Sequence, residues 1–215
     1  MSGGNSPTVI KLGGSLAESR RLPSILKIVG SARQSCVIVP GGGIFADAVR
    51  AAYKKHRLSE VTAHRMALLA VHQSGMMLAS MHTRLVPVET LTGIRRALSE
   101  SRIPVWLPLK LADADEKISA NWRTTSDALA ARLAERLGGV PLVVVKSCRV
   151  NAADAAAQLA HKGIVDPAFA EIVERSGSPW RVLGAGDEAE LAHRLGAAYR
   201  SGRRKPAKRA IARRR

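Results

Sequence analysis

TVIKLGGS, residues Thr8 to Ser15, reads as a strand buried on both faces that runs directly into a glycine turn. Thr8, Val9, Ile10 and Leu12 are the residue types a central parallel strand needs. Lys11 is not one of them, because an ammonium within an apolar run costs free energy in a core. It becomes useful if the strand end meets a phosphate. Gly13 and Gly14 let backbone N–H groups close on an anion, and Lys11 adds a point charge. A lysine that snorkels its head to water would leave the same letters. A P-loop is excluded, since GxxxxGK[ST] occurs nowhere in the chain.

Two later stretches repeat the pattern. CVIV, Cys36 to Val39, is a second buried strand; it ends in Pro40-Gly41-Gly42-Gly43 and leads into an amphipathic helix. Ile44, Phe45, Ala48, Val49, Ala52 and Tyr53 form its apolar face, with Asp47, Arg50, Lys54 and Lys55 pointing away. A glycine joint between a strand's carboxyl end and a helix start either binds an anion, through free N–H groups and the helix dipole, or acts as a hinge. LVVV, Leu142 to Val145, is a third buried strand, ending in Lys146 and Ser147. Two lysines at strand ends aim a pair of positive charges at one sheet edge.

Between and beyond these strands the chain alternates. Helices are predicted over Leu22 to Val29, Val61 to about Thr83 behind an N-cap at Ser59, Thr90 to Ser101, Asp154 to His161, Ala168 to Arg175 and Asp187 to Tyr199. Strands are predicted at Leu85 to Val88, Ile103 to Leu111 and Trp180 to Leu183. The helix from Val61 is apolar on nearly all sides, so it is deeply buried or forms a subunit contact. His64 and His72 lie eight residues apart on it and read as packed or partner-facing, not as metal ligands. Ala112 to Arg123 is a polar, irregular loop of the kind that touches substrate. Thr124, Thr125, Ser126 and Asp127 precede a helix carrying Leu129, Leu133 and Leu137. Capping alone would explain them; alternatively Asp127 faces a ligand and holds a cation such as Lys11.

Alternating strands and helices call for an α/β fold, an αβα sandwich with a mostly parallel central sheet. Ligands in such folds bind beyond the carboxyl ends of the strands, where Lys11 to Ser15, Gly41 to Gly43 and Lys146 all fall. The 215 residues suit one domain, residues 1–200, followed by a basic tail, 201–215. Eight of the +17 formal charges sit in that tail, so the preceding residues carry +9, which suits polyanionic ligands. The tail reads as a solvated appendage with nonspecific attraction to polyanions; specific nucleic-acid binding is not expected without interleaved aromatics. No run approaches a membrane span, and MSGGNSP has no signal layout, so a cytoplasmic protein is expected. Cys36 and Cys148, in apolar runs, are expected as buried free thiols.

VIKLGGS (Val9 to Ser15), VPGGG (Val39 to Gly43) and TSDALAARLA (Thr125 to Ala134), in that order and at these separations, resemble the amino acid kinase superfamily over about residues 8 to 200. The resemblance implies an αβα sandwich with ATP and an acceptor lying end to end across the carboxyl edge of the sheet. It implies that Lys11 grips the transferring phosphoryl group and that Gly13, Gly14 and Ser15 cradle phosphates. Gly41, Gly42 and Gly43 would hold the acceptor or the moving phosphoryl, and Asp127 would orient the lysines. Asp47, Arg123, Thr125 and Ser126 are the candidate substrate contacts. Magnesium would ride on the ATP phosphates with no dedicated protein ligands. A small-molecule acceptor and a homo-oligomer are expected. NWRTTSD, the helix around Ala63 to Ala67 and KGIVDP (Lys162 to Pro167) look like the subgroup of aminomethylfuran-methyl phosphate kinases of methanofuran-type cofactor synthesis. Other acceptors, a nucleoside monophosphate or an amino acid, and a non-catalytic nucleotide- or oxyanion-binding role stay open. Two departures stand out: KSCRV (Lys146 to Val150) replaces a TDVDG-like strand end, and the later glycine-rich segment with a second catalytic lysine is missing. Lys146 is the candidate for that lysine's role.

Overall fold

The computed structural model describes residues 6–199; the basic tail lies outside them. Strands β1 (Thr8–Leu12), β2 (Cys36–Pro40), β3 (Leu85–Val88), β4 (Ile103–Trp106), β5 (Leu142–Val145) and β6 (Trp180–Leu183) form one sheet in the order β3-β4-β2-β1-β5-β6. Every pairing is parallel. The helices are α1 (Leu22–Gly30), α2 (Gly43–His56), α3 (Glu60–Ser80), α4 (Leu91–Ser99), α5 (Leu109–Asp113), α6 (Ser126–Arg136), α7 (Ala156–His161), α8 (Pro167–Ser176) and α9 (Glu188–Arg194).

The expected sandwich is what forms, and strand alternation assigns its faces. Val9 joins Val37, Val39 and Val144 on one face, beneath Leu129 and Leu133 of α6 and Phe169 of α8. Ile10 and Leu12 join Ile38, Val143 and Val145 on the other, against Ile25 and Val29 of α1 and Leu191 of α9. Lys11 has the parity of Val9, so its side chain leaves the sheet on the α6 side. Lys146 continues β5 with the parity of Val144, toward the same helix. Leu12 is in register with both Pro40 and Val145, so the three glycine or lysine turns leave the sheet side by side. The chain passes from β1 to β2 on one side of the sheet and reaches β5 on the other, and such a reversal opens a crevice at the strand ends.

Several boundaries differ from the sequence reading. The strand expected over Ile103 to Leu111 stops at Trp106, and Pro108, already in helical backbone geometry, starts α5. Ala112 and Asp113 therefore finish a helix, and the polar loop begins after them. The last helix ends at Arg194, not Tyr199, and Gly196 turns the chain at φ +59°. α7 begins at Ala156, where Gln158 reaches back to the Ala155 N–H. Ser59 caps α3 by accepting from the Thr62 N–H. That helix buries Ala63, His64, Leu68, Val71 and Leu78, while Val61, Leu69 and Met76 face outward. On α2 the buried positions are Ala46 and Val49, not the full face from Ile44, which is exposed. Cys36 is buried, but Cys148 is exposed because the chain has already left the sheet at Lys146.

Candidate active site

Asp127 lies in the first turn of α6, between the two lysines. Lys146 Nζ donates to its Oδ2 at 2.7 Å. Lys11 Nζ stands 2.7 Å from Oδ1, an ion pair buried on both sides. Both partners of the Lys11 pair are buried, and Lys146 keeps 15% of its side chain exposed. Burial pushes the Lys11 ammonium below the ordinary lysine value; Asp127 opposes that and Lys146 adds to it. Burial pushes Asp127 upward, but the charges of Lys11 and Lys146 outweigh it and hold the carboxyl below its usual value. The result is an ionised carboxylate between two ammonium groups that line one cavity.

A second buried carboxylate sets this geometry. Asp166 caps α8 by accepting from the Phe169 N–H. Its other oxygen accepts from Thr125 N, Thr125 Oγ1 and Ala128 N at 2.7–3.0 Å. One side chain thus satisfies orphan donors at the starts of both α6 and α8, locking the turn that presents Asp127. Burial and the neighbouring Asp127 charge raise its pKa.

The glycine turns close around this centre by packing backbone on backbone. A Cβ on Gly14 would lie 2.4 Å from the Gly43 nitrogen, and one on Gly41 would lie 2.3 Å from the Gly14 nitrogen. Gly43 sits at φ +52° and opens α2. Only glycines permit this approach. Ser74, from α3, donates to the Gly42 carbonyl at 2.9 Å. Ser15 and Ser147 hydroxyls meet at 2.7 Å, bridging the β1 and β5 turns. Arg21 braces the same rim by donating to the carbonyls of Lys146 and Gly184, both at 2.9 Å, and to Glu188.

A cavity of about 480 Å³ opens over the triad. Lys11, Gly14, Ser15, Gly42, Gly43, Asp127 and Lys146 form its charged end, Thr125 and Ser126 lie beside it, and Asp47 stands at its mouth, paired with Arg50. Gly13 and Gly41 are not among its lining residues: the Gly13 N–H is used on the Val145 carbonyl, and Gly41 is packed against Gly14. Arg123 is outside as well, its guanidinium on Glu171 at 2.7 Å on the surface. Sequence reasoning passed over Asp166, Trp122 and His64 as site residues, and all three line the cavity. His64 is buried, and burial lowers its pKa, which keeps the imidazole neutral at pH 7. A two-ammonium pole beneath glycine N–H groups and the start of the 14-residue α2 can receive a polyphosphate.

A sequence profile of the Amino acid kinase family matches residues 6–149. The [5-(aminomethyl)furan-3-yl]methyl phosphate kinase of Methanocaldococcus jannaschii is 27% identical over 131 residues, 60% of this chain. This chain spans about 60% of that curated relative's length. Among solved structures, the uridylate kinase from Archaeoglobus fulgidus superposes with a TM-score of 0.61 at 19% identity, over 88% of this chain and 95% of its own. The UMP kinase from Bacillus anthracis gives 0.59 at 16% identity, over 89% and 92%. That from Ureaplasma parvum gives 0.58 at 14%, over 84% and 90%. At these identities the likeness is one of fold.

Proposed function

Because the chain belongs to the amino acid kinase family, we propose that it transfers the γ-phosphoryl group of ATP to a small phosphate ester. The observation that carries this reading is the Lys11–Asp127–Lys146 triad at the carboxyl edge of the sheet, under the Gly14–Gly43 contact. Phosphoryl transfer asks for positioning and charge neutralisation more than for covalent chemistry. In this reading an acceptor phosphate oxygen forms a bond to the γ-phosphorus as the bond from phosphorus to the β–γ bridging oxygen breaks. ADP leaves with that electron pair. Lys11 and the Gly14 and Gly43 N–H groups hold the phosphoryl oxygens in transit, Lys146 neutralises charge on the nucleotide side, and Asp127 keeps both ammonium groups aimed. Among the described residues no group of three His, Cys, Asp or Glu side chains could hold a metal. Magnesium would ride on the ATP phosphate oxygens and supply further charge neutralisation.

The M. jannaschii relative supports [5-(aminomethyl)furan-3-yl]methyl phosphate as the acceptor, with a diphosphate as product. The outward Val61, Leu69 and Met76 of α3 support self-association through that helix, which a sedimentation mass would check. No helix among the described residues is long and apolar enough to cross a membrane, and dependence on ATP favours the cytoplasm. ADP release, measured with the furan ester, UMP and free amino acids, tests the proposal. Release with the furan ester, abolished in Lys11→Ala, is expected. Release with another acceptor alone would reassign the substrate. Tight ATP binding with no ADP from any acceptor would leave a nucleotide-binding protein in its place.

A further inference from the structure

A serine inside a helix ordinarily bonds a carbonyl about one turn back in its own helix. Ser80 of α3 does so on Met77, and Ser99 of α4 on Arg96. Ser74, buried in α3, instead donates at 2.9 Å to the carbonyl of Gly42, across to the turn that opens α2. α3 comes this close because Gly75 has no side chain: a Cβ there would stand 2.5 Å from the Leu107 side chain and 3.2 Å from that of Pro40.

The carbonyl that Ser74 holds belongs to a peptide between two glycines. Gly42 has right-handed backbone angles, φ −74° and ψ −26°, and Gly43 follows at φ +52°. A right-handed residue followed by one in the left-handed region turns successive N–H groups, here those of Gly42, Gly43 and Ile44, toward one point and makes an anion-binding nest. None of the three finds an acceptor among the described residues. Gly42 and Gly43 line the cavity, whereas Ser74 does not. In a trans peptide the carbonyl and the N–H point opposite ways, so anchoring the Gly42 carbonyl on Ser74 sends the Gly43 N–H away from α3. Glycine on both sides leaves that direction open to sterics, and the bond to the same carbonyl from the Ala46 N–H is longer, 3.3 Å.

We infer that Ser74 is a positioning residue for phosphoryl transfer: its hydroxyl locks the Gly42–Gly43 peptide with the Gly43 N–H turned toward the phosphoryl oxygens. The inference rests on the kinase reading of the same cavity and adds the group that presets one of its anion donors. A donor aimed before the phosphate arrives costs no reorganisation as charge moves onto the phosphoryl oxygens. Ser74 itself touches neither ATP nor acceptor; it acts through the peptide it holds.

The test compares the full chain with Ser74→Ala, both labelled with ¹³C and ¹⁵N so that the Gly43 amide signal is assigned. Tripolyphosphate is the probe, and it needs no turnover. The wild-type Gly43 signal is expected to move downfield as tripolyphosphate binds, and to move less in Ser74→Ala although both lysines remain. Ser74→Ala is also expected to lower kcat/KM for ATP about tenfold, while the acceptor KM stays within about twofold. If Ser74→Ala does not fold, Ser74→Cys, which keeps the shape and weakens the donor, carries the same two readouts. A Gly43 signal that tripolyphosphate leaves unmoved in wild type, or moves equally far in the variant, overturns the inference, as does an unchanged kcat/KM, whatever the melting temperature shows. A Gly43 response that depends on Ser74 in a chain releasing no ADP from any acceptor supports the lock and overturns the kinase reading alone.

Discussion

Asp127→Asn removes one charge and almost no volume, and the geometry around it sets the cost. Two ammonium groups, each 2.7 Å from a carboxylate oxygen, are left with an amide between them, and Lys11 is as buried as Asp127 itself. Breaking a buried pair by removing one partner costs about 3–5 kcal/mol, because the stranded charge has lost its compensation. For a domain of this size each kcal/mol lowers Tm by about 2–4 °C, so a fall of about 6–20 °C is expected in a thermal melt. The loss should depend on pH with a definite sign. Without Asp127 the Lys11 pKa falls further below its unfolded value, so the unfolded state binds more protons and stability rises with pH. The deficit relative to wild type should therefore shrink on the alkaline side. Tripolyphosphate should raise the variant's Tm by more than it raises that of wild type, since it restores negative charge beside both lysines. A melt within about 1 °C of wild type, flat with pH and indifferent to tripolyphosphate, would refute the buried triad.

Three further outcomes are expected of the same site and its sheet. Burial depresses Lys11 below the ordinary lysine value of 10.5, and its protonated form is the one that binds phosphate. The alkaline limb of the kcat/KM profile should therefore fall before free lysine titrates, and a profile flat up to 10.5 would contradict that role. Gly14→Ala would place a methyl 2.4 Å from the Gly43 nitrogen; separating the two turns should cut turnover by about 10²-fold, whereas near-wild-type ADP release would mean the turns do not need to touch. Burial lifts Cys36 to about 12, while Cys148 is exposed, so a thiol reagent should titrate one cysteine in the native chain and both after unfolding.

How much of the fold and the site was legible in the sequence depended on how local each cause was. Lys11 and Lys146 stood out because each breaks the pattern of its own strand, and such breaks mark functional positions. The sheet followed from apolar runs separated by helical periods. Asp127 was named from the sequence through the kinase resemblance, as the group that orients the lysines; capping chemistry alone does not distinguish it from Thr125 and Ser126, and the strand parity of the two lysines is what aims both at it. Asp166 was invisible for a different reason: its partners at Thr125 and Ala128 lie about forty residues upstream, and nothing local ties them together. Trp122 likewise gains meaning only where the loop, α2 and α3 converge. The misplaced burial of Cys148 came from continuing an apolar strand past the sheet edge.

A crystal structure of the full chain with a non-hydrolysable ATP analogue and the furan ester tests the central claim most directly. The terminal phosphate is expected within hydrogen-bond reach of Lys11 Nζ and the Gly43 N–H, with the acceptor phosphate in line beyond it. Density for the triphosphate away from the Lys11–Asp127–Lys146 triad would contradict the account.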